Sequence, residues 1–543
     1  MKQIFKKWYF ALLLIIILAS FLRFYQLGSN PPSLTWDEAA WGYNAYSLGL
    51  DGKDEFGRFL PLNYLESFGD FKPPMYAYLD IIPVKLFGLN EFATRFPSAL
   101  FGVLAIIVTY FLVKRIFFNS LNKEKYALFS SLFLAISPWH ILLSRAAFEA
   151  NVASFFVIFG IYCFLKGVQE KKWFILLSAV SFVFSMYTFN SARIVSPILV
   201  LTLSIIFFKR LLLMRKQVII AILLGIILLL PSIKFLLSPQ ASLRFKEVNI
   251  FSDPTVVETS NQEITNDNFA WWSRAIHNRR IGYGIEFLRH YFDNLNPIFL
   301  FVKGDGNPKF SIQTIGQMYW WDMPFFIGGI LFLIKKKEGY WYVIPIWLIL
   351  SIIPAATARE TPHALRIENA LPTFQILSAY GCVLVLDKIR KFRRLILLVI
   401  FFALFLNFSY FYHDYFVHYA RVFSGEWQYG YKDSIRYTQS VEKNYDQINI
   451  TEDLGRPYIY YLYYLKTNPN FFRMNAEVKR DAFGFVQVNG FGKYRFAQNL
   501  SEIDIKNKKV LYVDAAKNVP ENAQILKTFY RMDGTPTLKA YTL

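Results

Sequence analysis

Cysteine is nearly missing: of 543 residues only Cys163 and Cys382 carry a thiol, both inside long apolar runs, so no disulfide framework or cysteine metal cluster organises the chain. Histidine is almost as scarce, and His413 and His418, too loosely spaced for a site, do not make a metal-ligand pattern. No metal and no cofactor is therefore expected. Internal repeats and low-complexity linkers are also lacking. So are charges in the middle of the apolar runs: Arg145, Glu149, Arg193, Lys234, Arg366 and Glu368 all stand at run ends. Ion-coupled transporters need ionisable groups near the bilayer midplane, and many show Gly/Pro-broken helices in matching halves. Neither feature is evident, which ranks transport behind catalysis.

Apolar surface is what the chain has in excess. At 54% hydrophobic and 19% aromatic, it carries more than one soluble core of this length needs. Runs such as Trp8 to Phe21 and Gln217 to Leu230 are almost uncharged, as lipid requires. Eleven such runs are read as spans, near 8–25, 97–117, 126–143, 150–168, 173–189, 194–209, 217–237, 321–335, 340–356, 369–387 and 395–412. The expected fold is an all-α polytopic bundle of about 11 transmembrane helices over residues 1–412. Interfacial helices fill the first outer loop, and a small soluble α/β domain follows over residues 413–543. The first run is read as a retained helix, because Phe21, Leu22, Arg23, Phe24 and Tyr25 offer no small-residue cleavage site.

The net charge of +20 would suit nucleic acid if it were clustered on a soluble face, but it is distributed otherwise. Basic residues fill every second connector: Lys2, Lys6 and Lys7; Lys114, Arg115, Lys123 and Lys125; Lys166, Lys171 and Lys172; Lys209, Arg210, Arg215 and Lys216; Lys335, Lys336 and Lys337; Lys388, Arg390, Lys391, Arg393 and Arg394. Positive-inside retention puts these connectors and the N-terminus in the cytoplasm, and an odd number of spans puts the tail outside. The partner implied is the bilayer, with no nucleic acid.

Three outer segments exceed simple turns. Residues 26–96 include Met75 to Phe87, apolar on one side with Asp80 and Lys85 on the other, as an interfacial helix would be. Residues 238–320 are polar and hold Trp271, Trp272, Arg274, Arg279 and Arg280. The tail offers strand candidates at Gln447 to Thr451, Phe483 to Val488, Lys509 to Asp514 and Leu538 to Leu543, with a helix near Pro457 to Leu465.

The outer side also gathers polar chemistry. In TWDEAAWGYNAY, Thr35 to Tyr46, Asp37 and Glu38 follow the first span directly. Flanking aromatics would partly desolvate Asp37 and make it a better proton acceptor. The plainer reading is a helix N-terminus whose dipole favours both carboxylates. In SFGDFKPPMYAYL, Ser67 to Leu79, two prolines fix the backbone after Lys72, which suits a lipid phosphate at headgroup depth. A snorkelling lysine would look the same. Arg95 in NEFATRFPSAL, Arg145 and Glu149 in SPWHILLSRAAFEAN, and His363 and Arg366 in TARETPHALRIENALP add groups on that face.

These segments, together with YTFNSAR and PHALRIENALPTFQILSAYG, resemble the polytopic glycosyltransferases of the C superfamily. The likeness is to prokaryotic homologues of protein O-mannosyltransferases and of lipid A aminoarabinose transferases, over about residues 8–410. The resemblance implies transfer of a sugar from a polyprenyl-phosphate donor at the outer leaflet to a protein, lipid or glycan acceptor. It casts Asp37, with Glu38 beside it, as the base or acceptor-positioning group, and Glu149 as the second acidic site. Lys72 becomes the carrier-phosphate ligand, with Arg95, Arg145, His363 and Arg366 as further donor-phosphate groups. Asp70 and Tyr43 fall in acceptor or loop positions. Two departures stand out: Phe71 directly precedes the lysine where relatives often have an acid, with Asp70 one place earlier, and Glu149 stands where aspartate is usual. The reading requires Asp37 and Lys72 to converge at a shared extracytoplasmic cavity. A flippase of lipid-linked sugars, or a receptor with its specificity in the tail, are the alternatives. Deleting residues 420–543 would silence a receptor but leave an enzyme some donor hydrolysis.

Overall fold

The computed structural model describes residues 2–238, 241, 249–388, 393–480 and 486–543. Arg390 and Lys391 of the last basic connector, and residues 483–485 of the second strand candidate, lie outside the described residues. Every one of the eleven apolar runs is helical, since a backbone facing lipid must satisfy its hydrogen bonds within its own segment.

Not all of these helices have the length to cross. Six do: Lys7–Phe24, Glu91–Ile116, Glu149–Gln169, Arg215–Leu236, Glu368–Lys388 and Arg394–Val422. The helices Lys123–Ile136 and Pro138–Arg145 make a seventh if taken together, bent by 56° between them. Ser137 at that bend is extended (φ −58°, ψ 125°), the conformation favoured before proline. Phe174–Met186, Ala192–Ile206 and Val343–Ala356 are shorter. At 1.5 Å per residue, a helix of this size reaches only about 20 Å, against about 30 Å of hydrocarbon. The chain is a multi-pass membrane protein with six or seven helices of spanning length among the described residues, fewer than the eleven expected.

Contacts group the chain into two units. The first comprises Met1–Leu22, Phe101–Leu143 and Glu149–Ser409. Small residues let its helices close on one another: a Cβ on Gly329 or Gly381 would strike the backbone of the facing helix, in the pair Asp322–Lys336 and Thr373–Lys388.

The second unit comprises Arg23–Leu100, Ser144–Phe148 and Tyr410–Leu543, so the segment after the first helix is grouped with the tail, although the sequence places a boundary at residue 412. Its loop part contains α1 (Trp36–Asp51), the hairpin of β1 (Leu65–Ser67) and β2 (Asp70–Lys72), and α2 (Met75–Phe87). Its tail part is a mixed sheet of seven described strands: β3 (Gln447–Thr451), β4 (Ala476–Arg480), β5 (Val486–Phe491), β6 (Tyr494–Ala497), β7 (Val510–Ala515), β8 (Gln524–Tyr530) and β9 (Pro536–Thr542). The order is β4-β5-β6-β3-β7-β9-β8, with β3 parallel to both neighbours and the other pairs antiparallel. Ile448, Ile450, Leu511 and Val513 of the sheet, Tyr458 to Tyr463 of the helix Pro457–Tyr464, and Ala39, Ala40 and Tyr43 of α1 belong to one buried cluster. In α2 the expected polar side is divided. Asp80 is fully buried, whereas Ile82, Leu86 and Phe87 are exposed, an outward apolar face suited to an interfacial helix.

Candidate active site

Thr35 begins α1 with a reciprocal cap: its hydroxyl accepts from the Glu38 amide (3.2 Å), and the Glu38 carboxylate accepts from the Thr35 amide (2.9 Å). This places Asp37 in the first turn, with its side chain 46% exposed. Lys72 ends β2, opposite Leu65, and Pro73 and Pro74 stop the strand there. Its ammonium pairs with the Asp37 carboxylate. Only 7% of the Lys72 side chain is exposed, with Phe68 and Trp41 rings 4.2 and 5.2 Å from Nζ. The sequence-selected acid and lysine thus meet, one open to solvent and the other packed on aromatic faces.

Four other candidates in this unit are committed elsewhere. Glu38 is fully buried; besides capping α1 it takes Arg95 Nε (2.8 Å) and the Ala147 amide (2.9 Å), which leaves it as a structural anchor with no access to substrate. Arg95, also fully buried, gives its remaining donors to the carbonyls of Leu27, Pro31 and Ser33 and to the second Glu38 oxygen. Arg145 donates to the Arg23 and Asn30 carbonyls and the Tyr415 hydroxyl, with no exposed surface. Both guanidiniums tie down the stretch after the first helix and are unavailable to a phosphate arriving from solvent. Tyr43 is buried, its hydroxyl donating to the Thr467 carbonyl (3.0 Å), so it is no acceptor contact. Asp70 faces Ser67 across the hairpin and is half-buried.

Glu149, His363 and Arg366 belong to the first unit. Glu149 opens the helix Glu149–Gln169 and is half-buried. His363 is buried beside the Phe310 ring, its Nδ1 4.0 Å from Asp305 Oδ2. Burial, and then the charge of Arg366, pull its imidazole down to about 3, so it is neutral near pH 7 and is no cation for a phosphate. Arg366 donates to the Glu360 carbonyl (3.1 Å), with Nη2 3.7 Å from the Glu360 carboxylate.

Sequence reasoning passed over Glu55. It lies in the loop after α1, fully buried, where Ser67 Oγ (2.7 Å), the Tyr458 hydroxyl (3.3 Å) and Asn44 Nδ2 (3.4 Å) all donate to its carboxylate. Burial pushes its carboxyl up to about 8, opposed by the Ser67 hydrogen bond. The acidic pair Asp54-Glu55 between Gly52 and Gly57 was the available signal, but it reads as an ordinary polar turn. A groove in the tail, lined by Tyr429, Arg436, Tyr437, Lys527 and Arg531 among others, includes neither Asp37 nor Lys72.

Residues 13–245 match the family model described as dolichyl-phosphate-mannose-protein mannosyltransferase. A curated relative from Aquifex aeolicus (strain VF5), described as an uncharacterized protein, is 30% identical over 188 residues, 34% of this chain and 35% of its own, so the chain spans about a third of that relative. Among solved structures, ArnT from Cupriavidus metallidurans aligns over 97% of both chains. The TM-score is 0.55 at 12% identity for its apo state, and 0.53 at 14% identity for the form bound to undecaprenyl phosphate. The apo oligosaccharyltransferase of Archaeoglobus fulgidus aligns over 84% of this chain and 63% of its own, with a TM-score of 0.50 at 13% identity. Residues 13–245 thus resemble that mannosyltransferase family, and the chain shares the fold of ArnT.

Proposed function

We propose that the protein transfers a sugar from a polyprenyl-phosphate carrier to a hydroxyl of a protein, lipid or glycan acceptor at the extracytoplasmic face. The pairing of Asp37 with Lys72 carries this reading. It is supported by the family match and by the undecaprenyl phosphate that the similarly folded ArnT binds. The basic connectors support a cytoplasmic N-terminus and an outer tail.

Charge dictates the roles. The donor is a phosphodiester with one negative charge. As the bond between anomeric carbon and phosphate oxygen breaks, the electron pair stays on that oxygen and the departing carrier gains a second charge. An ammonium on that phosphate binds the transition state more tightly than the ground state, which is what accelerates a reaction. Lys72 supplies it, and the Phe68 and Trp41 rings beside it hold bulk water off. When the phosphate draws Lys72 away, Asp37 is released from its partner and accepts the proton of the attacking hydroxyl. Attack from the face opposite the leaving group inverts the anomeric carbon.

The test is Asp37→Asn in isolated membranes supplied with a polyprenyl-phosphate sugar. Transfer is expected to fall by about a hundred-fold to ten-thousand-fold. Wild-type turnover in that variant overturns the assignment.

A further inference from the structure

The turn that delivers Lys72 is strained. Phe68 has φ +37° and Gly69 φ +82°, and a bulky residue such as phenylalanine rarely occupies the left-handed region. Such a conformation persists only where its surroundings over-determine it, and it is found preferentially at functional sites. Here the restraints are visible. The Phe68 amide donates to the Tyr458 hydroxyl (3.0 Å), and that hydroxyl donates in turn to Glu55 (3.3 Å). Ser67, the last residue of β1, donates to the same Glu55 oxygen (2.7 Å). The Glu55 amide donates to Asn44 Oδ1 (3.0 Å), which anchors the carboxyl to α1. The Phe68 ring then lies 4.2 Å from the Lys72 ammonium and 5.7 Å from the Arg456 guanidinium.

Resting on the functional reading above, we propose that Glu55, latched to Tyr458 of the tail, is the positioning residue for Lys72. By holding Ser67 and the Phe68 turn, it fixes where the ammonium stands for the donor phosphate. Glu55 feels the charge of Lys72, but its hydrogen bonds go to Ser67, Tyr458 and Asn44. It acts through the hairpin, and Tyr458 makes the tail part of that device, although the two residues are 403 positions apart.

Lys72 reactivity tests this without any assumption about the substrate. The full-length protein in detergent is treated briefly with an amine-acetylating reagent, and modification is quantified by mass spectrometry at Lys72, with Lys114 and Lys432 as references for an intact fold. Glu55→Ala and Tyr458→Phe are expected to raise Lys72 labelling by about ten-fold, the equivalent of one lost buried hydrogen bond, with the references unchanged. Glu55→Gln, still able to accept from Ser67, is expected to stay close to wild type. Unchanged Lys72 labelling in both disruptive variants, or a parallel rise at the reference lysines, overturns the proposal. A second arm measures affinity for a long-chain polyprenyl phosphate. Tyr458→Phe is expected to weaken it about ten-fold in the native background and not at all on top of Lys72→Met, because the effect passes through the lysine. Equal losses in both backgrounds overturn the positioning role. Native affinity in Lys72→Met alone sinks the functional reading instead, and the labelling result still decides what Glu55 does.

Discussion

Asp37 and Glu38 are adjacent carboxylates with different fates, decided by which way one turn of helix aims them. Asp37 points to Lys72 and stays half-open; Glu38 is enclosed by Arg95, the Ala147 amide and its own cap. The sequence showed an acid pair behind a span and a lysine before two prolines, and these local patterns were enough to select the residues that meet. It could not show that Arg95 and Arg145 have spent their donors on backbone carbonyls, because a chain reveals a cation but not its bonds. Glu55 was invisible for the same reason, its meaning being set by Asn44, Ser67 and Tyr458. Its titration has a measurable consequence. The folded carboxyl titrates at about 8 against 4.5 for an exposed glutamate, so across that window the folded state keeps a proton that the unfolded chain has released. Stability therefore falls as pH rises from about 4.5 to about 8 and levels off above, by at most about 1.4 kcal/mol per pH unit from this group. Thermal unfolding in detergent between these limits should show a shallower decline in Glu55→Gln than in wild type.

At the scale of elements, helices were easy to read and strands were not. Long uncharged runs leave lipid-facing backbone no alternative to a helix, whereas β4 (Ala476–Arg480) and β8 (Gln524–Tyr530) are sheet edges that carry exposed charged side chains and lack the alternation of a half-buried strand. The strand candidates read from sequence fall on β3, β5, β7 and β9, which lie inside the sheet and bury most of their side chains. Hydropathy registers apolarity but not length, so helices of 13 to 15 residues score like longer ones, and eleven runs read as spans where six or seven described helices have spanning length. Close packing in the first unit is testable at Gly329. A Gly329→Val side chain would be driven into the Leu377 backbone, and overpacking of this kind costs about 1–3 kcal/mol, read as a lowered unfolding temperature with the helix content kept.

For the whole molecule, the division into two units changes what the tail means. Its tyrosines share one buried cluster with Ala39, Ala40 and Tyr43 of α1, Arg473 donates to Ser47 (2.6 Å) and to the Asp54 carbonyl (2.9 Å), and Arg480 pairs with Glu66 (2.7 Å). An enzyme with a detachable tail would keep donor hydrolysis without it. This arrangement predicts the reverse: deleting residues 413–543 exposes the apolar face of α1 and frees the hairpin, so donor turnover is lost and the 50–75 segment becomes sensitive to protease. Survival of turnover in that truncation would show that the loop holds its shape alone. The Asp37 and Lys72 pair has one more consequence. An acid and a lysine that cancel each other while idle exert little long-range pull on stray anions, so free phosphate and nucleotides drifting past are held only weakly. Under the proposed reaction, only a ligand already moored in the bilayer by its isoprenoid chain stays long enough to prise the pair apart, and the resting neutrality becomes a filter that admits lipid-borne sugars and ignores soluble ones.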